Sequence, residues 1–280
     1  MTRLRIASVN VNGIRAAVRN GMHDWLETAD VDVLTLQEVR APRAELEKAL
    51  PGWIIVDEEA TAKGRAGVAI ASRSEAAAVR IGIAAAEHDT AGRWIEADFV
   101  VNGRNVTVVS AYVFTGEAET PAKQDPKWAM LDAMTLRLPE LSADDALALI
   151  TGDLNVGHRE LDIKNWKGNV KKSGFLPRER AYFDRFLGAS GAEITGVDGS
   201  VGAGLGWIDV GRTHAGEVPG PYTWWSARGK AFDNDSGWRI DYHLASPALA
   251  AVASNYSVFR APSYDTRWSD HAPVIVDYEI

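Results

Sequence analysis

The segment Ala146-Leu147-Ala148-Leu149-Ile150-Thr151-Gly152-Asp153-Leu154-Asn155 joins an apolar run to a polar end. The run over residues 146–151 predicts a buried strand that breaks at Gly152. Asp153 and Asn155 follow two residues apart, and they point the same way if extended geometry continues. The segment therefore indicates a layered α/β protein with a site at the end of this strand. Taken alone, it also fits an ordinary turn in which Asp and Asn bond their own backbone.

The composition excludes several classes of protein. The chain has 280 residues, 46% hydrophobic and 24% charged, which is ordinary for a globular protein with a large core. It has no cysteine, which excludes disulfides, thiolate zinc sites and thiol nucleophiles. We find neither a signal peptide nor an apolar stretch long enough to cross a bilayer, so a soluble cytoplasmic protein without membrane partners is expected.

The charge is unevenly distributed. The net charge of −8 argues weakly against a passive nucleic-acid coat but not against a nucleic-acid enzyme. Residues 158–190 contain eight basic and four acidic side chains, a local charge of +4 in an acidic chain. A basic segment beside an acidic site suits a polyanionic substrate, although a solvated loop and helix face would have the same composition.

Hydrophobic periodicity predicts mixed sheets with helices outside. Helices are expected over residues 14–29, 44–50, 127–141 and 177–190. Strands are expected over 4–11, 31–36, 53–56, 67–72, 94–101, 105–113, 146–151, 222–225, 239–245 and 272–279. Asn102-Gly103 predicts a hairpin turn, and residues 196–206 predict a flexible loop that lacks the Lys-Ser/Thr of a phosphate-binding loop.

Polar residues follow several of these strands and could converge. They are Asn10, Asn12, Gln37, Glu38, Tyr112, Asp153, Asn155, Asp241, Asp270 and His271. Each has an ordinary alternative: a helix cap, a partner for Arg239, or a core tyrosine. Together, several carboxylates without cysteine favour Mg²⁺ or Mn²⁺, and a His beside a carboxylate favours proton transfer or phosphate stabilisation. Metal-assisted phosphodiester hydrolysis fits best. The other histidines are expected on the surface or in packing.

Ordered motifs along the whole chain carry a family resemblance. They include Ser8-Val9-Asn10-Val11-Asn12-Gly13, Leu36-Gln37-Glu38, Gly92-Arg93, Ser110-Ala111-Tyr112-Val113, Gly152-Asp153-Leu154-Asn155, Gly174-Phe175-Leu176-Pro177-Arg178-Glu179-Arg180, Tyr222-Thr223-Trp224-Trp225, Trp238-Arg239-Ile240-Asp241-Tyr242 and Ser269-Asp270-His271. In this order they resemble the exonuclease III family of abasic-site endonucleases, within the endonuclease/exonuclease/phosphatase superfamily. The Gly-Phe-x-Pro-x-Glu-Arg and Trp-Arg-Ile-Asp segments are similar to the DNA-repair branch.

The resemblance implies a four-layered α/β sandwich, two mixed sheets with helices outside, as one domain over residues 1–280. It also implies roles for the polar residues. Glu38 would bind Mg²⁺, with Mn²⁺ as a substitute, and Asn10 and Asp270 would assist. Asp153 would position or deprotonate the attacking water. Asn155 and Tyr112 would hold the scissile phosphate, and His271, oriented by Asp241, would stabilise the transition state.

The resemblance further implies a pocket for a flipped-out abasic sugar, lined by Trp224, Trp238 and Ile240. Basic residues near it are candidate DNA contacts: Arg178, Lys171, Lys172 and Arg228. The loop 114–127 departs from the family pattern and offers no clear counterpart of a basic residue that some relatives insert into DNA. Arg228 stands where another relative inserts an apolar side chain, and the loop 196–206 is longer than expected.

The sequence therefore predicts a monomeric, Mg²⁺-dependent repair nuclease that cuts duplex DNA 5′ to abasic sites and trims blocked 3′ ends. An alternative in this family is a 3′-end-specific exonuclease with little abasic-site activity. A second is a phosphatase for inositol phosphates, phospholipids or another non-DNA phosphoester. A third, of a different class, is a non-catalytic binding module, which should lack some acidic or His positions. None of those positions is missing here.

Overall fold

The computed structural model describes residues 2–85 and 88–280. Its strands are β1 (Arg3–Asn10), β2 (Val33–Gln37), β3 (Ile54–Glu58), β4 (Val68–Ser72), β5 (Ala78–Ile81), β6 (Trp94–Val101), β7 (Arg104–Tyr112), β8 (Leu147–Asp153), β9 (Glu193–Thr195), β10 (Val201–Ala203), β11 (Ile208–Asp209), β12 (Asp241–Ala245), β13 (Ala253–Val258) and β14 (Val274–Glu279). Its α-helices are α1 (Ile14–Arg19), α2 (Met22–Ala29), α3 (Arg43–Ala49), α4 (Pro121–Leu141), α5 (Pro177–Leu187), α6 (Val210–Ala215) and α7 (Pro247–Ala250).

Within these residues, the strands form two large mixed sheets. The order is β13-β14-β1-β2-β4-β3 in the first and β11-β12-β8-β7-β6-β5 in the second. The parallel pairs β1–β2 and β7–β8 lie inside the sheets, flanked by antiparallel neighbours. The register sets Asp153 opposite Tyr112 on one side and Asp241 on the other. Tyr112, Asp153 and Asp241 therefore lie side by side at the same end of three neighbouring strands of the second sheet.

Apolar side chains hold four layers together. Ile6 and Leu149 belong to a buried cluster between the two sheets. Trp25 of α2 belongs to a second cluster, which covers the outer face of the first sheet. Met134 of α4 and Phe183 of α5 belong to a third, which covers the outer face of the second sheet. Burying both faces of each sheet supplies most of the hydrophobic stabilisation, and the predicted four-layered sandwich is confirmed.

Several local predictions differ from the structure. The single helix predicted over residues 14–29 is wrong, because the chain breaks before α2 at Gly21, which has a φ of +105°. The strand predicted over 222–225 is wrong, since Trp224 forms only isolated bridges with Trp238 and His271. The loop 196–206 is partly ordered, because β10 pairs there with β9. Helix α4 starts at Pro121 rather than at residue 127.

The edge strands β5 and β13 escaped prediction. Most of their side chains are exposed or half-buried, so their sequences lack the apolar alternation that indicates a strand. The hairpin turn at Asn102-Gly103 is confirmed, because both residues have positive φ between the antiparallel strands β6 and β7. In the part of the chain described, no helix has the length and apolar character that spanning a membrane requires. The single domain over 1–280 stays a prediction.

Candidate active site

Loops at the ends of β1, β2, β7 and β8 surround a cleft of about 360 Å³. Its lining residues are Asn12, Glu38, Arg40, Thr115, Asp153, Asn155, Lys172, Ser173, Gly174, Trp224, Trp238, Ile240, Asp270 and His271. A larger groove of about 750 Å³ lies beside α5 and β9, but none of the predicted site residues lines it. The convergence of polar side chains, rather than cavity size, therefore identifies the candidate site.

Asn10 lies at the centre of the polar network. Its buried Nδ2 donates to Glu38 Oε1 at 3.0 Å and to Asp153 Oδ2 at 2.9 Å. Its Oδ1 accepts from the backbone N–H of Asn12 at 3.0 Å, and these partners fix the orientation of the amide. Asn10 thus links two carboxylates as a donor. The side-chain nitrogen of Asn10, not its oxygen, faces Glu38. The metal-ligand role expected of Asn10 stays a prediction.

A buried chain of three ionisable groups crosses the site. His271 Nδ1 lies 2.9 Å from Asp241 Oδ2, and His271 Nε2 lies 3.7 Å from Asp153 Oδ2. Burial raises the pKa of Asp153 to about 7, and the nearby Asp241 acts in the same direction. Burial alone would lower the pKa of His271, but the charges of Asp241 and Asp153 outweigh it and raise it to about 10. His271 is therefore held as a cation by the two carboxylates.

The backbone around Asp153 is set by close contacts. Gly152 has a φ of +129°, and a Cβ there would lie 2.0 Å from the carbonyl oxygen of Ala111, so only glycine fits. Strand β8 continues to Asp153, but extended geometry stops at Asn155, which has a φ of +51°. The Asn155 N–H donates to Asp153 Oδ1 at 3.0 Å. The predicted break at Gly152 is wrong, because β8 runs on to Asp153; of the two alternatives for Asp153 and Asn155 the turn forms, and both side chains line the cleft.

Tyr112 lies buried beside the acidic cluster. Burial and the charges of Glu38 and Asp153 raise the pKa of Tyr112 well above its usual value, which keeps the hydroxyl protonated. The guanidinium of Arg93 lies 4.7 Å from the centre of the Tyr112 ring. Tyr112 is therefore a fixed hydroxyl donor at the end of β7.

Glu38 and its neighbours offer a place for a cation. Glu38 Oε2 is buried and accepts no hydrogen bond from the described residues, although the Arg40 guanidinium forms an ion pair with it. Glu38, Asp153 and Asp241 are all buried, and these three carboxylates face two positively charged side chains, His271 and Arg40. This donor set fits a hard divalent cation. Asp270 lies nearby in the cleft lining, where it accepts from the side chain of Asn12 at 2.9 Å.

A second set of possible ligands overlaps the buried chain. Asp153, Asp241 and His271 have ligand atoms that all lie within 4.8 Å of one another. These groups already compensate one another, because His271 Nδ1 is hydrogen-bonded to Asp241 and His271 Nε2 forms an ion-pair contact with Asp153, which accounts for the cluster without a metal. The cation-binding role expected of Glu38 stays a prediction.

Two tryptophans form an apolar wall of the cleft. The rings of Trp224 and Trp238 lie 6.1 Å apart and are nearly perpendicular, at 86°. Trp224 Nε1 donates to Asp270 Oδ2 at 3.0 Å, which ties this wall to the polar cluster. Ile240 lines the same cleft. A Cβ on Gly174 would lie 2.9 Å from Trp238, so glycine lets the loop pack against the indole. All three predicted pocket residues are brought together.

The predicted DNA contacts are more scattered. Lys171, Lys172 and Arg178 are exposed, and of these only Lys172 lines the cleft. The guanidinium of Arg178 stacks over Trp128, 4.3 Å from the ring centre. Arg228 is exposed in the loop before β12 and does not line the cleft. Their roles in DNA binding stay predictions.

Sequence reasoning missed several residues of the site. Arg40, Thr115 and Ser173 line the cleft, and the buried pair Lys127–Glu179 lies behind it. Arg40 could have been found, because it follows the Gln-Glu motif by two residues. Lys127 gave no signal, since a lysine at the start of a predicted helix is normally solvated.

Comparisons with known proteins find relatives that are nucleases. The chain is 32% identical over 272 residues to an exodeoxyribonuclease of Bacillus subtilis, covering 97% of this chain and 98% of the relative. It is 33% identical over 280 residues to the DNA repair nuclease APEX1 of Danio rerio, covering 97% and 81%. The fold matches a 3′-5′ exonuclease (NExo) of Neisseria meningitidis with a TM-score of 0.80 and 28% identity, covering 99% and 100%.

An AP endonuclease structure from Archaeoglobus fulgidus matches with a TM-score of 0.79 and 26% identity, covering 99% of this chain and 100% of the other. The model of the endonuclease/exonuclease/phosphatase family matches residues 7–271. The resemblance inferred from the ordered motifs is confirmed, and the chain belongs to the endonuclease/exonuclease/phosphatase family.

Proposed function

We propose that this protein is a Mg²⁺-dependent phosphodiesterase of DNA repair that cuts duplex DNA 5′ to abasic sites. At the level of class, the named relatives confirm the prediction of a DNA-repair nuclease. The observation that carries the finer proposal is the buried Asp153–His271–Asp241 chain, which opens into a cleft with an apolar wall.

Asp153 is the residue proposed to activate water. It faces the cleft, and Asn10 and His271 hold its carboxylate in place. Burial raises the pKa of Asp153, which makes its carboxylate a stronger base than that of a solvated aspartate. His271 is cationic and buried, so it can stabilise negative charge on the phosphorane, while Asp241 fixes its orientation through Nδ1. These roles rest on the contacts that join Asn10, Asp153, His271 and Asp241.

Two further residues are proposed to hold the scissile phosphate. Asn155 Nδ2 donates to the Val113 carbonyl at 2.9 Å, and its second N–H can be donated to a phosphate oxygen. The protonated Tyr112 hydroxyl is a second donor. Neutral donors suit this position, because they bind a phosphate without disturbing the charge balance of the buried carboxylates.

Glu38, assisted by Asp270, is proposed to hold the metal ion. Its buried Oε2 accepts no hydrogen bond from the described residues and is held by the ion pair with Arg40, so a metal ion would replace that guanidinium as its partner. A bound Mg²⁺, or Mn²⁺ in its place, would supply Lewis-acid stabilisation of the developing phosphorane charge. Arg40 already compensates Glu38 in part, so metal entry requires Arg40 to move aside.

The pocket formed by Trp224, Trp238 and Ile240 is proposed to receive the abasic deoxyribose. Its walls are apolar, and a sugar without a base leaves room that an intact nucleotide would overfill. The polar cluster lies directly beside it, since Trp224 bonds Asp270. Lys172 at the rim is proposed to contact the DNA backbone, with Lys171, Arg178 and Arg228 further out.

A second candidate function is trimming of 3′ ends. It is favoured by the likeness to the Neisseria protein NExo, described as a 3′-5′ exonuclease in one structure and as a 3′ phosphatase bound to a product DNA hairpin in another. We propose that a 3′ end would bring its phosphate to the same polar cluster of Asp153 and His271 without needing the apolar pocket. The two functions therefore differ in how far the surrounding loops let duplex DNA enter.

A substrate panel tests the proposal. Labelled duplexes with a central abasic-site analogue, a recessed 3′ end or a 3′-phosphate are incubated with Mg²⁺ or EDTA, beside a soluble inositol phosphate. We expect metal-dependent incision 5′ to the abasic site as the fastest reaction. Faster release from 3′ ends would favour the second candidate, and turnover of the inositol phosphate alone would contradict both.

A further inference from the structure

A buried ion pair lies directly behind the catalytic cleft. Lys127 of α4 and Glu179 of α5 are both 0% exposed, and Lys127 Nζ lies 2.7 Å from Glu179 Oε1. Neither side chain lines the cleft, and none of the roles proposed above uses them. Two apolar side chains could fill this space without the desolvation that a buried ion pair requires. The pair therefore calls for an explanation other than packing.

The remaining hydrogen bonds of Lys127 provide that explanation. Its Nζ also donates to the backbone carbonyls of Asn155, at 2.8 Å, and of Thr115, at 3.2 Å. An ammonium group has three N–H donors, so the three acceptors use all of them. Asn155 and Thr115 both line the cleft from adjacent loops. One buried cation thus fixes two loops that carry cleft residues.

The carbonyl of Asn155 is the more consequential of the two acceptors. Asn155 has a left-handed φ of +51°, its N–H bonds Asp153 Oδ1, and its side chain bonds Val113. Rotation of the peptide after Asn155 would move the amide proposed to hold the phosphate. The bond from Lys127 opposes that rotation from the side of the molecule away from the cleft.

Glu179 anchors the ammonium group in turn. Its Oε2 accepts from the Leu176 N–H at 2.9 Å, and its Oε1 lies 3.2 Å from Gln124 Nε2 and 3.1 Å from Ser173 Oγ. Ser173 Oγ also donates to the Thr115 carbonyl at 2.6 Å. The network around the Lys127 ammonium group therefore joins helices α4 and α5 to the loops that contain Thr115, Asn155 and Ser173.

We propose that Lys127 and Glu179 form a positioning pair that holds the Asn155 and Thr115 loops in the geometry required for phosphodiester cleavage. The proposal rests on the proposed function, because cleavage is one of its readouts. It assigns neither residue a contact with substrate. It predicts that removing the pair lowers the rate of chemistry while leaving the fold and DNA binding in place.

The test is the double variant Lys127→Met/Glu179→Met, which removes both charges and retains the side-chain volume. Its matched control is Lys48→Met/Glu45→Met, which removes an exposed Lys–Glu pair of the same 2.7 Å length on α3. We expect the single-turnover cleavage rate to fall about 10- to 100-fold in the first variant, since misplacement by about 1 Å has that effect. We expect KM to change less than threefold and the control to match wild type.

Hydrogen exchange gives a second readout that does not depend on activity. Amides of residues 113–117 and 153–157 should exchange faster in the double variant, while the core strands stay protected as in wild type. A folded variant with wild-type rate and wild-type exchange would overturn the proposal. If wild type cleaves no DNA, the proposed function fails, and exchange alone still decides the role of the pair. Should the double variant not fold, Lys127→Gln/Glu179→Gln replaces it, since it removes both charges and keeps hydrogen-bonding groups, and a wild-type rate there overturns the proposal equally.

Discussion

Replacing Arg239 by methionine should destabilise the protein strongly. Arg239 is 1% exposed, and its Nε donates to Asp162 Oδ1 at 2.7 Å. Its two terminal nitrogens donate to Asp209 at 3.0 and 2.7 Å. Hydrogen bonds to charged groups contribute about 1.5–3 kcal/mol each, but their effects overlap. Removing one partner of a buried ion pair costs about 3–5 kcal/mol, because the remaining charge is left without compensation.

The expected loss for Arg239→Met is at the lower end of that range. Arg212 still bonds Asp162 at 2.5 Å, and the N–H of Arg212 still bonds Asp209 at 2.9 Å. We therefore expect the free energy of unfolding to fall by about 3 kcal/mol. For a chain of this size class, that loss corresponds to a decrease in Tm of roughly 6–12 °C. Urea unfolding followed by tryptophan fluorescence measures the loss.

The control for this experiment is Arg159→Met. Arg159 makes two bonds of 2.6 Å with Glu217, so the geometry is equally good, but the side chains are 39% and 71% exposed. Exposed ion pairs contribute about 0–1 kcal/mol, so this variant should differ little from wild type. Equal, small losses in both variants would refute the reasoning that burial, rather than bond geometry, sets the effect.

Three further outcomes follow from the same structure. Burial alone would raise the pKa of Asp162, but Arg239 and Arg212 outweigh it and lower it to about 2. The stability from this group is present above about pH 4 and lost as pH falls toward 2, by about 2–3 kcal/mol in total. The urea midpoint of Asp162→Asn should therefore fall less than that of wild type between pH 4 and pH 2. Trp238→Ala should lower kcat/KM on an abasic duplex by about 10- to 100-fold, since one apolar wall is worth about 1–3 kcal/mol, and equal loss on a recessed 3′ end would contradict a pocket specific for abasic sugar. Asp241→Asn should lower the single-turnover rate about 100-fold or more, and an unchanged rate would show that His271 needs no carboxylate at Nδ1.

Much of the site could be predicted because strand ends carry it. The pattern of an apolar strand that ends in a polar residue fits Asp153 and Tyr112, whereas Asp241 begins the antiparallel strand β12, and the strand register brings all three side by side. The same reasoning left two alternatives open for Asn155, two residues beyond the strand. It could not decide between continued extension and a turn, because the positive φ of Asn155 depends on bonds to Asp153 and Lys127.

Residues that act through tertiary contacts gave no signal in the sequence. Lys127 and Glu179 are separated by most of α4, β8 and the loop that follows, so only the fold shows that they meet. The orientation of Asn10 was also inaccessible, since it depends on which of its neighbours donate and which accept. The helix break at Gly21 and the exposed edge strands β5 and β13 were not predicted, because hydrophobic periodicity is weak in those segments.

The central claim is that Asp153 activates water in a metal-dependent cleavage of DNA. The most direct measurement is the single-turnover incision of a duplex with one central abasic-site analogue by wild type and Asp153→Asn, each with Mg²⁺ and with EDTA. Asp24→Asn, the same change on an exposed residue of α2, is the control. We predict incision 5′ to the lesion by wild type and by the control with Mg²⁺ only, and a rate lower by several orders of magnitude in Asp153→Asn. A folded Asp153→Asn variant that cuts at the wild-type rate would contradict the account.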